Sequence, residues 1–196
     1  MQRSERRALL VSKGWIQAVA LVILFGFFVL GLLAYRTYMA KPPTPRRVVG
    51  PHGAVLYTAQ DISRGQRVFL HNGLMEYGSV FGHGAYLGPD FTADYLRRSS
   101  DMVQRSYGGV QSDSAARKTV EEFRTNRYNE TSGTLTLSAP QAEAFRQLVG
   151  HYSRFFSDPT TRHGLRPDAI TDRTELRQLT AFFAWTAWAG STERPG

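Results

Sequence analysis

Residues 14–35 form an uncharged run of 22 positions, with WIQAVALVILFGFFVLGLLA at its heart. About 20 apolar residues are needed to cross the hydrocarbon core of a bilayer as a helix. Backbone in lipid must satisfy its own hydrogen bonds, so helix is the only form open to a single segment of this kind. Trp15 lies at one end and Tyr35 and Tyr38 at the other, where amphipathic rings favour the headgroup layer. A cleaved secretory signal has a shorter apolar region, roughly 7 to 15 residues, ending at a small-x-small site. Tyr38-Met39-Ala40-Lys41 is a poor site of that type. The pattern therefore predicts an uncleaved transmembrane helix over 14–39, preceded by a short N-terminus, 1–13.

The flanking charge is nearly balanced across this segment. Arg3, Arg6, Arg7 and Lys13 precede it, and Arg36, Lys41, Arg46 and Arg47 follow. The tight arginine cluster and the free amino terminus tip the comparison toward a cytoplasmic N-terminus. The net charge of +8 divides evenly: residues 1–40 hold five Lys/Arg and one Glu, and residues 41–196 hold 19 Lys/Arg and 15 Asp/Glu, so each part carries +4. Half of the excess thus belongs to the membrane flanks, where basic residues favour anionic headgroups. The remainder is interspersed with acids, which argues against a nucleic-acid partner. With no cysteine in the chain, disulfides and thiolate metal sites are excluded.

Beyond the apolar run, Lys41-Pro42-Pro43-Thr44-Pro45-Arg46-Arg47 reads as an extended linker, because proline fixes φ and removes donors. The linker is placed at 40–50 and the folded domain at 51–196. A short strand is expected at 54–58 and a helix over 62–70, with Asp61 or Ser63 near its start and Asn72-Gly73 closing it. Residues 73–89 hold Gly73, Gly78, Gly82, Gly84 and Gly88, too many for regular structure. Asp90 can cap a helix reaching Tyr107. A helix over 114–128 should set Val120, Phe123 and Arg127 near one face and leave Arg117, Lys118, Glu121, Glu122 and Arg124 wet. Thr134-Leu135-Thr136-Leu137 alternates as a strand does. Ser138-Ala139-Pro140-Gln141 has capping-box spacing before a helix running to Phe156. Residues 158–170 are irregular, with Pro159, Gly164 and Pro167. The last helix begins near Thr171 or Asp172, and its Trp185 and Trp188 widen the apolar face, so it is expected to pack inside the domain and to turn its exposed side to membrane or another protein as a contact surface.

The segment Gly65-Gln66-Arg67-Val68-Phe69-Leu70-His71-Asn72-Gly73-Leu74-Met75-Glu76-Tyr77-Gly78, followed by Gly82-His83-Gly84-Ala85-Tyr86 and Pro89, resembles the haem-attachment region of a small c-type cytochrome. Such proteins bind haem through C-x-x-C-H. Aligned on the glycine-rich loop, Leu74 and Tyr77 stand at the cysteine positions and Gly78 at the histidine position. The methionines are Met1, Met39, Met75 and Met102, so a late methionine axial ligand is missing as well. Leu74, Tyr77, Phe81 and Phe91 are expected to fill the vacated space as core. His71, His83, His151 and His163 are scattered, without the pairing that marks a ligand set. Each reads as a surface or hydrogen-bonded histidine, while a non-covalent haem held by two of them is the alternative. Glu76 and Asp90 could move protons beside the loop, but solvent exposure and helix capping account for them. No catalytic, cofactor-binding or metal residue is assigned.

The stretch from Phe69-Leu70-His71-Asn72-Gly73 through Pro89-Asp90-Phe91-Thr92-Ala93-Asp94-Tyr95 is similar to the N-terminal region of quinol-dependent nitric oxide reductases. So are the leading helix and the closing Leu179-Thr180-Ala181-Phe182-Phe183-Ala184-Trp185-Thr186-Ala187-Trp188-Ala189. The resemblance implies a mainly α chain: one transmembrane helix, then a periplasmic cytochrome-c-like helical domain with short strands and no haem. It implies a single-pass protein of the bacterial inner membrane whose partner is a polytopic bundle. That bundle carries haem b, haem b3 and non-haem iron, and reduces NO to N2O. The sequence ends at Gly196, where the bundle is expected to begin, and no catalytic residue carries over. Expected cofactors of this chain are none, and the chain by itself is expected to be inactive. An electron carrier with non-covalent haem, or an interaction module of another respiratory complex, is the alternative.

Overall fold

In the computed structural model the uncharged run is one unbroken helix, α1 (Lys13–Met39). The structure describes residues 12–39, 41–84, 87–109, 111–157, 165 and 168–193. Residues 1–11 of the predicted N-terminus at 1–13, His163 and most of the irregular stretch 158–170 therefore lie outside the described residues. The chain divides into two compact units, Met1–Pro42 and Pro43–Gly196. Within the first, α1 buries none of its residues, and Leu24 is 71% and Phe28 67% exposed. A helix apolar on every side is stable only where something other than water surrounds it. Among the described residues α1 is the one helix long and apolar enough to cross a membrane.

The second unit begins with a strand where the proline pattern predicts only linker, β1 (Arg47–Val49). It pairs antiparallel with β2 (Val55–Thr58) and parallel with β6 (Thr134–Thr136). β6 in turn pairs antiparallel with β5 (Tyr128–Asn129), giving a sheet in the order β2-β1-β6-β5. Arg46 N–H donates to the Gly133 carbonyl at 2.8 Å, so pairing starts one residue beyond Pro45. Val48 and Leu135 are 1% and 2% exposed and anchor the inner face.

Six α-helices appear among the described residues, and local capping sets most of their starts. α2 (Ala59–His71) begins three residues before the expected Ile62, because Thr58 and Asp61 form a reciprocal capping box. α3 (Phe91–Ser106) starts at the predicted cap, with Asp90 Oδ1 accepting from Ala93 N–H at 2.8 Å. α5 (Ala139–Ser157) opens with the expected box: Gln141 N–H donates to Ser138 Oγ, and Ser138 N–H to Gln141 Oε1, at 3.2 and 3.1 Å.

α4 (Asp113–Arg124) corrects the reading of its faces and its end. It turns Ala115, Thr119 and Glu122 inward and leaves Val120 55% exposed. Glu122 is tolerated inside because Tyr107 and Ser138 donate their hydroxyls to its two carboxylate oxygens. Burial and this carboxylate push the Tyr107 phenol up to about 12, so it stays a donor. The helix stops at Arg124, and Tyr128 belongs to β5 instead.

α6 (Arg173–Ser191) is the central element, packed against α2, α3 and α5. Its buried residues, among them Leu176, Leu179, Phe182, Phe183 and Ala187, occupy several faces. The helix packs inside the domain as expected, and Trp185 and Trp188 are both partly buried. Trp185 donates its indole N–H to the Pro43 carbonyl at 3.0 Å, and Trp188 packs against Tyr128.

Asp172 caps α6, one carboxylate oxygen accepting from Thr174 N–H at 2.6 Å and Glu175 N–H at 3.2 Å. The bonds from the Glu175 and Thr174 backbones hold its carboxyl below the usual aspartate value. A depressed folded-state pKa contributes stability above the ordinary pKa, and that contribution is lost as pH falls through the folded value. Asp172→Asn is therefore expected to narrow the Tm difference from the parent chain as pH drops below about 4. Thermal unfolding across pH 2.5 to 7 measures it, and a difference constant with pH would refute the capping charge.

Candidate functional site

The region that carries the cytochrome resemblance is built on the end of α2. Gly73 takes the left-handed conformation, φ 62°, and turns the chain into a single 3-10 turn, Leu74–Glu76. β3 (Ser79–Val80) and β4 (His83–Gly84) then form a two-residue hairpin. Its corner residues Phe81 and Gly82 have φ of 56° and 73°. Positive φ at both positions is the signature of a type I′ turn, for which a bulky first residue is unusual.

Asp90 holds this hairpin as well as capping α3. Its Oδ2 accepts from Gly82 N–H at 2.7 Å and from the Ser79 hydroxyl at 2.8 Å. Thr92 Oγ1 accepts from Phe81 N–H at 3.1 Å and donates to Thr186 Oγ1 at 3.1 Å, tying hairpin, α3 and α6 together. Asp90 thus has both oxygens engaged in structure. Glu76 is exposed and shares none of these bonds.

The aligned ligand positions are occupied in three different ways. Leu74 is 1% exposed and belongs to the core. Tyr77 is half-buried. Gly78 is buried beneath the Phe91 ring: a Cβ built at 78 would lie 2.3 Å from Phe91 Cε2 and 2.8 Å from the Pro89 carbonyl oxygen. Gly88 is tighter still, its Cβ falling 1.4 Å from the Tyr77 carbonyl oxygen. These two glycines let strands of loop backbone and an aromatic ring share one small volume.

Phe91 is the hub of what fills the interior beside Gly78. Its ring stacks on Phe183, with centroids 4.5 Å apart and planes within 2°. Phe69 and Phe155 meet it edge-on at 6.1 and 6.0 Å, and Phe156 and Tyr152 complete the cluster. Aromatic pairs at these spacings add to the stabilisation from burial alone. Phe81, also expected in this core, points the other way: it is 43% exposed, its edge against Trp185. The I′ corner turns it outward.

The histidines do not converge. His71 is exposed and lines a cleft of about 390 Å³ with Asn72, Gly73, Leu74, Tyr77, Leu165 and Ala169. His83 is exposed, its Nδ1 2.9 Å from the Phe81 carbonyl. His151 sits between Tyr152 and Phe155, with Nε2 buried and unpartnered among the described residues. Burial, and then the Arg98 guanidinium, lower its pKa and favour the neutral ring. No group of three or more His, Cys, Asp or Glu able to hold a metal gathers among the described residues. Nearby, Asp94 accepts from Arg98 Nε at 2.8 Å and from the Tyr152 hydroxyl at 3.1 Å, locking α3 to α5. Nothing in the sequence pattern singled out the cross-element bonds of Asp94 to Tyr152 or of Glu122 to Tyr107 and Ser138.

The family model for the NorB-type cytochrome c-like domain of nitric oxide reductase matches residues 45–196. A comparison with curated proteins returned no match. The matched span begins two residues before β1 and takes in the whole sheet, the glycine-rich loop and every helix from α2 to α6. On that coverage, the chain belongs to the family of NorB cytochrome c-like domains of nitric oxide reductase.

Proposed function

We propose that Pro43–Gly196 is the haem-free, non-catalytic head of a quinol-dependent nitric oxide reductase, tethered by α1 to the inner membrane with the head on the periplasmic side. Its partner is a polytopic bundle carrying haem b, haem b3 and non-haem iron, which performs the reduction of NO to N2O. The head acts by packing on that bundle. The observation that carries the reading is the Phe91–Phe183 stack over Gly78. A proximal histidine needs a side chain at position 78, and Phe91 takes that space. Together with the absence of cysteine, this does not fit covalent haem. Among the described residues the His71 cleft offers one imidazole, where the electron-carrier alternative needs two.

The test is an absorption spectrum of the full chain, purified in detergent from cells making haem. The expected result is no stoichiometric Soret band, oxidised or reduced. A stoichiometric band that shifts on reduction would make the chain an electron carrier and overturn the proposal.

A further inference from the structure

The corner of the β3–β4 hairpin is built at a cost that turning the chain does not explain. Phe81 sits in the left-handed region, φ 56°, where a bulky residue is strained and persists only if its surroundings over-determine it. They do so here: Phe81 N–H donates to Thr92 Oγ1 at 3.1 Å, and Gly82 N–H to Asp90 Oδ2 at 2.7 Å. Asparagine or glycine would make the same turn without the strain. The ring that these bonds hold outward is 43% exposed, and Leu87, in the same loop, is 59% exposed.

The place where the chain enters the domain says what this ring meets. Phe81 packs against Trp185, with ring centroids 6.3 Å apart, and Trp185 donates its indole N–H to the Pro43 carbonyl. Residues 40–42 alone separate Pro43 from the last residue of α1. An extended chain covers at most about 3.6 Å per residue, so this tether keeps Pro43 within roughly 15 Å of Met39 at any angle between the two units. Arg46 and Arg47, just beyond Pro43, are exposed. Aromatic rings favour the headgroup layer of a bilayer, and cations beside them favour anionic lipid.

We infer that the Phe81 corner, with Leu87 and the outer edge of Trp185, is a lipid-contacting foot that rests in the headgroup layer, with Arg46 and Arg47 facing anionic lipid phosphates. The inference rests on the reading of α1 as a membrane anchor, and it adds a contact separate from any surface the head offers to the bundle. A second contact restricts the rotation that a single tether allows.

The test uses the full chain in nanodiscs of phosphatidylcholine and phosphatidylglycerol. With no cysteine in the chain, a nitroxide on Leu87→Cys, Val120→Cys or Leu24→Cys reports one position at a time. Val120 is an exposed residue of α4, and Leu24 lies within α1. Collision with oxygen, which concentrates in lipid, is compared with collision with a water-soluble nickel chelate. The oxygen-to-nickel ratio at 87 is expected to be several-fold above that at 120, and Phe81→Asn, which suits the turn, is expected to bring it down to the value at 120. A ratio at 87 equal to that at 120 in the parent background, or one that Phe81→Asn leaves unchanged, overturns the foot. So does loss of both collisions at 87, the mark of a protein surface covering it. Leu24 separates the two readings: a lipid-like ratio there with a water-like one at 87 sinks the foot alone, whereas water-like ratios at both sink the anchor as well.

Discussion

Gly65→Ala is expected to lower the Tm of the Pro43–Gly196 unit by roughly 6 to 12 °C, from a loss of roughly 3 kcal/mol. The direction opposes the usual rule. Alanine in a helix interior is about 1 kcal/mol better than glycine, and Gly65 lies in the middle of α2. But α2 meets α6 at this point without a side chain between them. A Cβ at 65 would lie 2.0 Å from the Gln178 carbonyl oxygen, 2.6 Å from its carbon and 2.9 Å from Phe182 Cβ. These are backbone and stem atoms that no rotamer change can move. Relief requires the two helices to part by more than an ångström, which opens the packing of Phe182 on Phe69, whose centroids are 5.8 Å apart. Because α6 also packs on α3 and α5, the displacement is shared by the whole core. Thermal unfolding of the detergent-solubilised chain measures it. A Tm unchanged or raised, as at an ordinary helix glycine, would show that α2 and α6 do not touch here.

The same contact illustrates which parts of this fold can be read from the sequence. As helix caps, Asp90, Asp172 and the Ser138/Gln141 pair act within three residues of themselves, so that role follows from spacing alone, whereas Asp90's hold on Ser79 and Gly82 does not. β1 is invisible on that basis: three residues after a proline cluster become a strand because β6, nearly ninety positions on, supplies their partner. Glu122 reads as one of five solvated charges on α4. Its burial depends on the Tyr107 and Ser138 hydroxyls, 15 and 16 positions away on either side. Phe81 and Phe91 look equivalent in the sequence, yet a hairpin corner sends one outward while an N-terminal helix position sends the other into the core.

The glycine at 78 gives the sharpest test of the proposed haem-free reading. Rebuilding the C-x-x-C-H motif with Leu74→Cys, Tyr77→Cys and Gly78→His is expected to yield a destabilised chain that takes up no haem, even alongside c-type haem attachment machinery. The two cysteine substitutions remove core volume at Leu74 and alter a half-buried tyrosine, costs the fold can absorb. The histidine is different. Its Cβ alone would sit 2.3 Å from Phe91 Cε2 and 2.8 Å from the Pro89 oxygen, and its ring would have to displace Phe91 from Phe183. Overpacking on this scale costs roughly 3 kcal/mol or more, against a typical total stability of about 5 to 15. A milder pair isolates the cause. Gly78→Ala is expected to lose roughly half of its cost in a Phe91→Leu background, because leucine lacks the Cε2 atom while the Pro89 oxygen remains. The corresponding coupling is about 1 to 2 kcal/mol. Denaturant titration of the parent chain, both single variants and the double variant closes the cycle. Strict additivity, or a covalent haem on a well-folded triple variant, would mean that Phe91 does not hold the space a proximal histidine needs.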